Sequence, residues 1–351
     1  MQEDLNPSPE SQERAKPVCA QCGSEAILAG HNARLCAECR NMFIKYPVPM
    51  WVKLFGAGVV ILMLVSLALS PQNFKATIAL SRAEKQEKAH NYVSEQQELQ
   101  QALGIVPNST EVLAHMLIAS FYNGDFDTYG RVLDKLNGKE FDDKELLKEV
   151  DDLTAYTADY YPSDSLTKLT KRYPQGVPNA VYEQYIKTNP SDLFAQYSYT
   201  SGFFAKENYV KSDSLLRQII SVNPHHMYAL FMLSITKREL NQLDSSVHYC
   251  NRMLDDNHQS VMALSSKART LLKQKHLKEG MGMALQADRL DPKFYYNKAT
   301  MAIAYHLNHN IIERDKLVKQ AEKDTVLAGY MSYANELISG KKQHMVNAQT
   351  N

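Results

Sequence analysis

The chain has 351 residues with 39 basic and 39 acidic side chains, so nothing in its charge suggests a nucleic-acid footprint. One tryptophan against 20 tyrosines, with only 14 glycines and 13 prolines, suits helices joined by short loops better than a sandwich or barrel. The length allows two domains or one extended array, and the even overall balance hides an apolar block at residues 51–70.

In chain order, residues 1–16 read as a disordered start. Residues 19–39 then hold four of the five cysteines, as C-x-x-C, thirteen residues, and C-x-x-C. Each pair can present two thiolates from one turn to a shared ion at about 2.3 Å, and two pairs close a tetrahedron. Gly23 supplies the backbone freedom a tight knuckle needs. Ile27 with Leu28, and Arg34 with Leu35, flank Gly30, His31 and Asn32 and read as a small hairpin. Disulfide pairing is an alternative, and so is redox chemistry, although no βαβ pattern surrounds either pair. Residues 17–41 resemble a zinc ribbon. That resemblance implies that Cys19, Cys22, Cys36 and Cys39 hold a structural zinc, with His31 an exposed turn residue. Four thiolates leave no open position for substrate water, so catalysis by the ion is not expected.

The stretch WVKLFGAGVVILMLVSLALS, residues 51–70, carries no charge from Leu54 onward. It predicts one membrane-spanning helix, since a hydrocarbon core takes about 20 mostly apolar residues. Trp51 and Lys53 suit a headgroup layer at one edge, and Pro71 marks the other. The stretch lacks the polar stripe of an ordinary core helix, and no signal-peptidase-like site follows it. Charge does not orient the helix, because four basic residues lie on each flank. Thiolates are kept reduced in the cytosol. The expectation is therefore a cytoplasmic N-terminus and repeats on the far side, in a periplasm.

Periodicity dominates the remainder. Pro190, Pro224 and Pro292 close similar turns at intervals of 34 and twice 34, and His258 falls on the skipped beat. Tyr92, Leu99, Ala102, Leu103 and Pro107 form a pattern that recurs at Tyr209, Leu216, Ile219 and Pro224, and again at Ala287, Leu290 and Pro292. Small residues recur at Ala83, Ser234, Ala268 and Ala302, where paired helices would touch. These residues resemble the tetratricopeptide repeat (TPR) family. The resemblance implies an all-α, TPR-like α-solenoid of helix-turn-helix repeats over residues 76–328, preceded by the membrane helix and the ribbon. Units fall near 76–109, 110–143, 159–192, 193–226, 227–260, 261–294 and 295–328, irregular across 110–192. Residues 144–158 read as an inserted helix, residues 329–340 as a capping helix and residues 341–351 as a disordered tail.

In this family the first helices of successive units line a concave groove. Carried over, the inward residues are Phe194, Tyr197, Phe204, Tyr228, Phe231, Ile235, Arg238, Arg269 and Tyr296. Rings and guanidinium groups suit an extended peptide segment of a partner protein, although rings at this spacing also pack between helices. Cys250 falls where Leu216 and Ala284 stand in adjacent units and reads as a small core residue. His225, His226, His306 and His309 read as turn or helix-end residues, and the NST at Asn108 as a chance match. No nucleophile elbow, phosphate-binding glycine loop or HExxH motif occurs, so no enzyme and no small-molecule substrate are expected. The reading is a membrane-anchored scaffold in a bacterial envelope, binding protein partners. The alternatives are a cytosol-facing assembly platform and a transmembrane coupler whose zinc ribbon docks a cytosolic partner.

Overall fold

The structure, a computed structural model, describes residues 17–44 and 48–341, with no side-chain description at 44 and 67–72. The expected disordered termini lie outside the described residues, except for Lys341. The chain divides into two units, residues 1–70 and 71–351. Among the described residues there are seventeen α-helices and no β-strand, only one isolated antiparallel bridge between Ile27 and Cys36.

In the first unit the cysteine segment leads into α1 (Ala37–Ile44), and α2 (Met50–Lys88) begins. Here the membrane expectation is corrected: among the described residues no helix is long and apolar enough to cross a membrane. Lys53 stands inside the expected span, and α2 passes beyond it into a stretch that carries Lys75, Arg82, Glu84, Lys85, Glu87 and Lys88. Residues 67–70 of the expected span lie outside the described side chains. Nor does the helix end at position 71. It runs on to Lys88, and the later stretch has a packing face of its own in Ala76, Ala79 and Ala83. With no spanning helix among the described residues, the assignment of a cytoplasmic and a periplasmic side falls as well.

The second unit continues as helical hairpins. A first block holds α3 (Tyr92–Leu103), α4 (Thr110–Asn123), α5 (Phe126–Leu136) and α6 (Lys144–Ala155). Two short helices follow, α7 (Asp164–Arg172) and α8 (Asn179–Thr188). A second block runs through α9 (Leu193–Ala205), α10 (Tyr209–Val222), α11 (Met227–Glu239), α12 (Leu243–Asp256), α13 (Val261–Lys273), α14 (Leu277–Leu290), α15 (Tyr295–Leu307), α16 (Ile311–Ala321) and α17 (Thr325–Ile338). From α9 to α17 each helix packs on its successor, and α11 on α13 and α13 on α15 stack the hairpins. This is a TPR-like solenoid.

The repeat is written in the backbone. Left-handed residues break the hairpins at Glu207, Asn241, Lys275 and His309, each 34 on from the last, and at His90 and Gly124, also 34 apart. The 83 residues from Gly124 to Glu207 exceed two periods by fifteen. The excess accommodates α6, which Asp143 starts by accepting hydrogen bonds from the backbone N–H of Glu145 and Leu146 at 2.8 and 3.1 Å. The irregular unit has a physical cause too: α7 buries only Leu166 and α8 buries no side chain. Ser234, Ala268 and Ala302 are fully buried at the helix contacts, as are Leu216, Cys250 and Ala284. Burial pushes the Cys250 thiol up to about 11, which keeps it protonated and inert.

The two blocks also meet side-on. Asn257, in the turn before α13, donates from Nδ2 to the carbonyl of Tyr122 and to Oδ1 of Asn123, both at 3.0 Å. The Ser94 N–H donates to Gln259 Oε1, and Gln259 Nε2 donates to Ser94 Oγ, both at 2.8 Å. His258 N–H donates to the His90 carbonyl at 2.9 Å. Next to them, Phe126, Tyr160, His226 and Tyr228 pack ring against ring. The turns that carry the repeat signature thus form a seam.

Candidate functional site

Around Cys19 the chain folds as a knuckle: Gly23 N–H donates to the Cys19 carbonyl at 2.9 Å, with Gly23 at φ +74°. Leu28 N–H donates to the Leu35 carbonyl at 3.2 Å, which leaves a minimal hairpin. The second pair sits at the start of α1, with Cys36 just before the helix and Cys39 in its first turn. The four sulfurs lie within 4.8 Å of one another, and those of Cys22 and Cys36 are 3.6 Å apart. A tetrahedral ion with 2.3 Å bonds would set sulfurs about 3.8 Å apart, so the donors fit a metal. All four cysteines are unbridged.

The electrostatics agree with that fit. Backbone N–H groups, that of Cys36 first and then those of Cys22 and Gln21, draw the Cys19 thiol down to about 6. The neighbouring thiols of Cys22 and Cys36 push that of Cys39 up. Four such groups cannot ionise together without a cation, and a bound dication removes the conflict. His31 is exposed at the hairpin tip.

The inward residues of the second block fall into two clusters. Phe231, Arg238, Arg269 and Tyr296 come together. Arg238 is 2% exposed and donates from Nη1 to Tyr296 Oη at 3.2 Å, and its Nε meets Glu239 Oε1 at 3.2 Å. Arg269 is buried, donates from Nε to Thr300 Oγ1 at 2.8 Å, and lies 4.0 Å from the centre of the Tyr296 ring. Both guanidinium groups are therefore engaged inside the protein. Tyr197 and Tyr228 join His226 in the seam, with ring centroids 5.8–5.9 Å apart. Phe204 packs edge-on against Tyr209, while Phe194 and Ile235 are half-buried. The sequence reading missed Tyr333 of α17, 6.0 Å from Arg269, whose hydroxyl burial pushes up to about 12.

An open cleft lies elsewhere, at the seam. It measures about 620 Å³ and runs between α3, the turn from α4 to α5, the first turns of α11 and α13, and the turn from α14 to α15. Gln96, Gln97, Gln100 and Asn123 face it with side-chain amides, and Tyr228, Met262 and Phe294 with apolar surface. Gln97 and Gln100 are exposed. Both charged members of its lining, Asp125 and Asp291, are acidic. Of the residues expected to bind, only Tyr228 reaches it. Gln97 and Gln100 recur in no other unit, so the 34-residue period gave no signal for them.

Fold and site together define an α-helical repeat protein with a cysteine knuckle ahead of its solenoid. The sequence matches no family profile and no curated protein. Among solved structures it is similar to a fragment of MamA from Desulfovibrio magneticus RS-1, at 12% identity and a TM-score of 0.31, over 63% of this chain and 97% of that one. It is also similar to YrrB, described as a TPR protein with an unusual peptide-binding site, at 17% and 0.33, over 56% and 93%. PilF of Pseudomonas aeruginosa gives 9% and 0.33, over 76% and 99%. Scores this low say nothing about residues or partners.

Proposed function

We propose that this protein is a non-catalytic scaffold whose seam cleft receives an extended, neutral or basic segment of a partner protein. The observation that carries this reading is the make-up of the cleft. Side-chain amides both donate and accept, so Gln97 and Gln100 suit the alternating polar groups of an extended backbone. Met262 and Phe294 offer a wall for its side chains, and Asp125 with Asp291 selects against acidic segments. A photo-crosslinking residue at Gln100 in the full chain should capture a partner that the same residue at Gln218, on the outer face of α10, does not. Asp291→Arg should abolish that adduct. Identical adducts from both positions, or an adduct indifferent to the charge reversal, would overturn the reading.

Cys19, Cys22, Cys36 and Cys39 hold zinc in this proposal, as a closed structural site. Zinc would fix the knuckle against α1, which buries too little apolar surface to fold on its own: Cys19, Cys36 and Cys39 are its buried residues, with Leu35 packed on them. Modifying the thiols of the purified protein should release one zinc per chain. Release near zero removes the metal from the proposal.

A further inference from the structure

In the second unit, three ligand-type side chains from three helices converge: Glu87 of α2, Glu95 of α3 and His115 of α4. Their ligand atoms all lie within 4.8 Å of one another. His115 Nδ1 is 2.6 Å from Glu87 Oε2, so this pair is joined. Glu95 is the anomaly. It is 0% exposed, and its carboxylate oxygens accept from no donor; they face the carboxyl of Glu87, with which only a shared proton could join them. A buried carboxylate without a partner is costly, and native interiors seldom carry one without a use. Its other charged neighbour, Glu149 on α6, is also acidic. The charges that act on the Glu95 carboxyl, Glu87 and Glu149, are both acidic, while His115 and Lys88 act on Glu87.

We propose that Glu87, Glu95 and His115 bind a divalent first-row transition ion, which joins the C-terminal end of α2, the first turn of α3 and the middle of α4. Two carboxylates and a neutral imidazole cancel a dication's charge and form a donor set suited to manganese, iron or zinc. Bound there, the ion would satisfy the orphaned oxygens of Glu95 and replace the proton it otherwise needs. Without metal, burial and the nearby Glu87 raise the Glu95 carboxyl to about 11, so it is protonated at neutral pH. The site is independent of both the cysteine knuckle and the cleft.

Manganese(II) is the discriminating probe, because it favours oxygen and nitrogen over thiolate. Titrated into the full chain and followed by loss of the free-ion paramagnetic resonance signal, it should bind one equivalent in wild type and in Cys22→Ser. Glu95→Gln and His115→Gln should each weaken binding by at least about tenfold. Glutamine is isosteric and buries no charge, so the metal-free thermal midpoint of Glu95→Gln should equal or exceed that of metal-free wild type; folding loss does not then explain lost binding. Manganese that stays free at millimolar concentration with wild type overturns the proposal and leaves a proton-sharing carboxyl pair. So does a Glu95→Gln chain that binds as tightly as wild type.

Discussion

At the scale of single residues, packing decides most positions. On the first helices of the hairpins, Ser234, Ala268 and Ala302 were legible because small residues recur at one period. Their counterparts on the second helices, Ser212, Ser246 and Gly280, obey the same period and are equally buried. Gly280 is the tightest of them. A Cβ there would stand 2.7 Å from Leu272 Cγ and 3.0 Å from the Ala268 carbonyl oxygen, and a backbone atom cannot turn aside. Gly280→Ala should therefore cost about 1–3 kcal/mol in overpacking, more than the ~1 kcal/mol of helix propensity it gains. The urea midpoint should fall, and a midpoint unchanged or raised would contradict the contact. Arg238 and Arg269 were expected to line a groove, and the structure buries both. Their partners Tyr296, Thr300 and Tyr333 stand one or two repeats further on. A contact that reaches across repeats has no signature within one of them.

At the scale of elements, residues 144–158 were expected as an inserted helix, and α6 runs from Lys144 to Ala155. The cap was expected over 329–340, and α17 starts at Thr325 because Asp324 accepts hydrogen bonds from the N–H groups of Val326 and Leu327. Along α17, Leu327, Met331, Ala334 and Leu337 form one buried stripe on the core that holds Ala302 and Ile303. Leu327→Ala should destabilise the chain by about 2–5 kcal/mol, measured by denaturant unfolding; a loss within error would mean that the last hairpin is stable uncovered. The end of α2 was the element the sequence hid. Pro71 looked like an edge, yet small residues at 76, 79 and 83 supply a second face, and the helix continues along it.

At the scale of the whole molecule, the seam was illegible, because it joins turns far apart in sequence and no local period encodes it. His226 is its most sensitive member. Its Nδ1 accepts from the Ala229 N–H at 3.3 Å, which leaves Nε2 to donate to the Asp159 carbonyl, also at 3.3 Å, so the ring must be neutral. Burial holds its pKa below the ordinary 6.5. The unfolded chain therefore takes up this proton first, and the contribution of His226 to stability is full above about pH 6.5 and shrinks as the pH falls from there towards the lowered folded value. His226→Gln, which keeps a donor and an acceptor, should flatten that part of the stability profile. An unaltered profile would place the acid sensitivity elsewhere.

A row of units bound only to their neighbours can unzip from either end, one unit at a time. The seam takes that freedom away. With Ser94 clasped to Gln259 across 165 positions, the intervening hairpins form a closed loop rather than a strip. Tension applied at the two ends of the solenoid would load this clasp before it reached the helices inside. They should stay shielded until it parts, then lengthen together in one abrupt event.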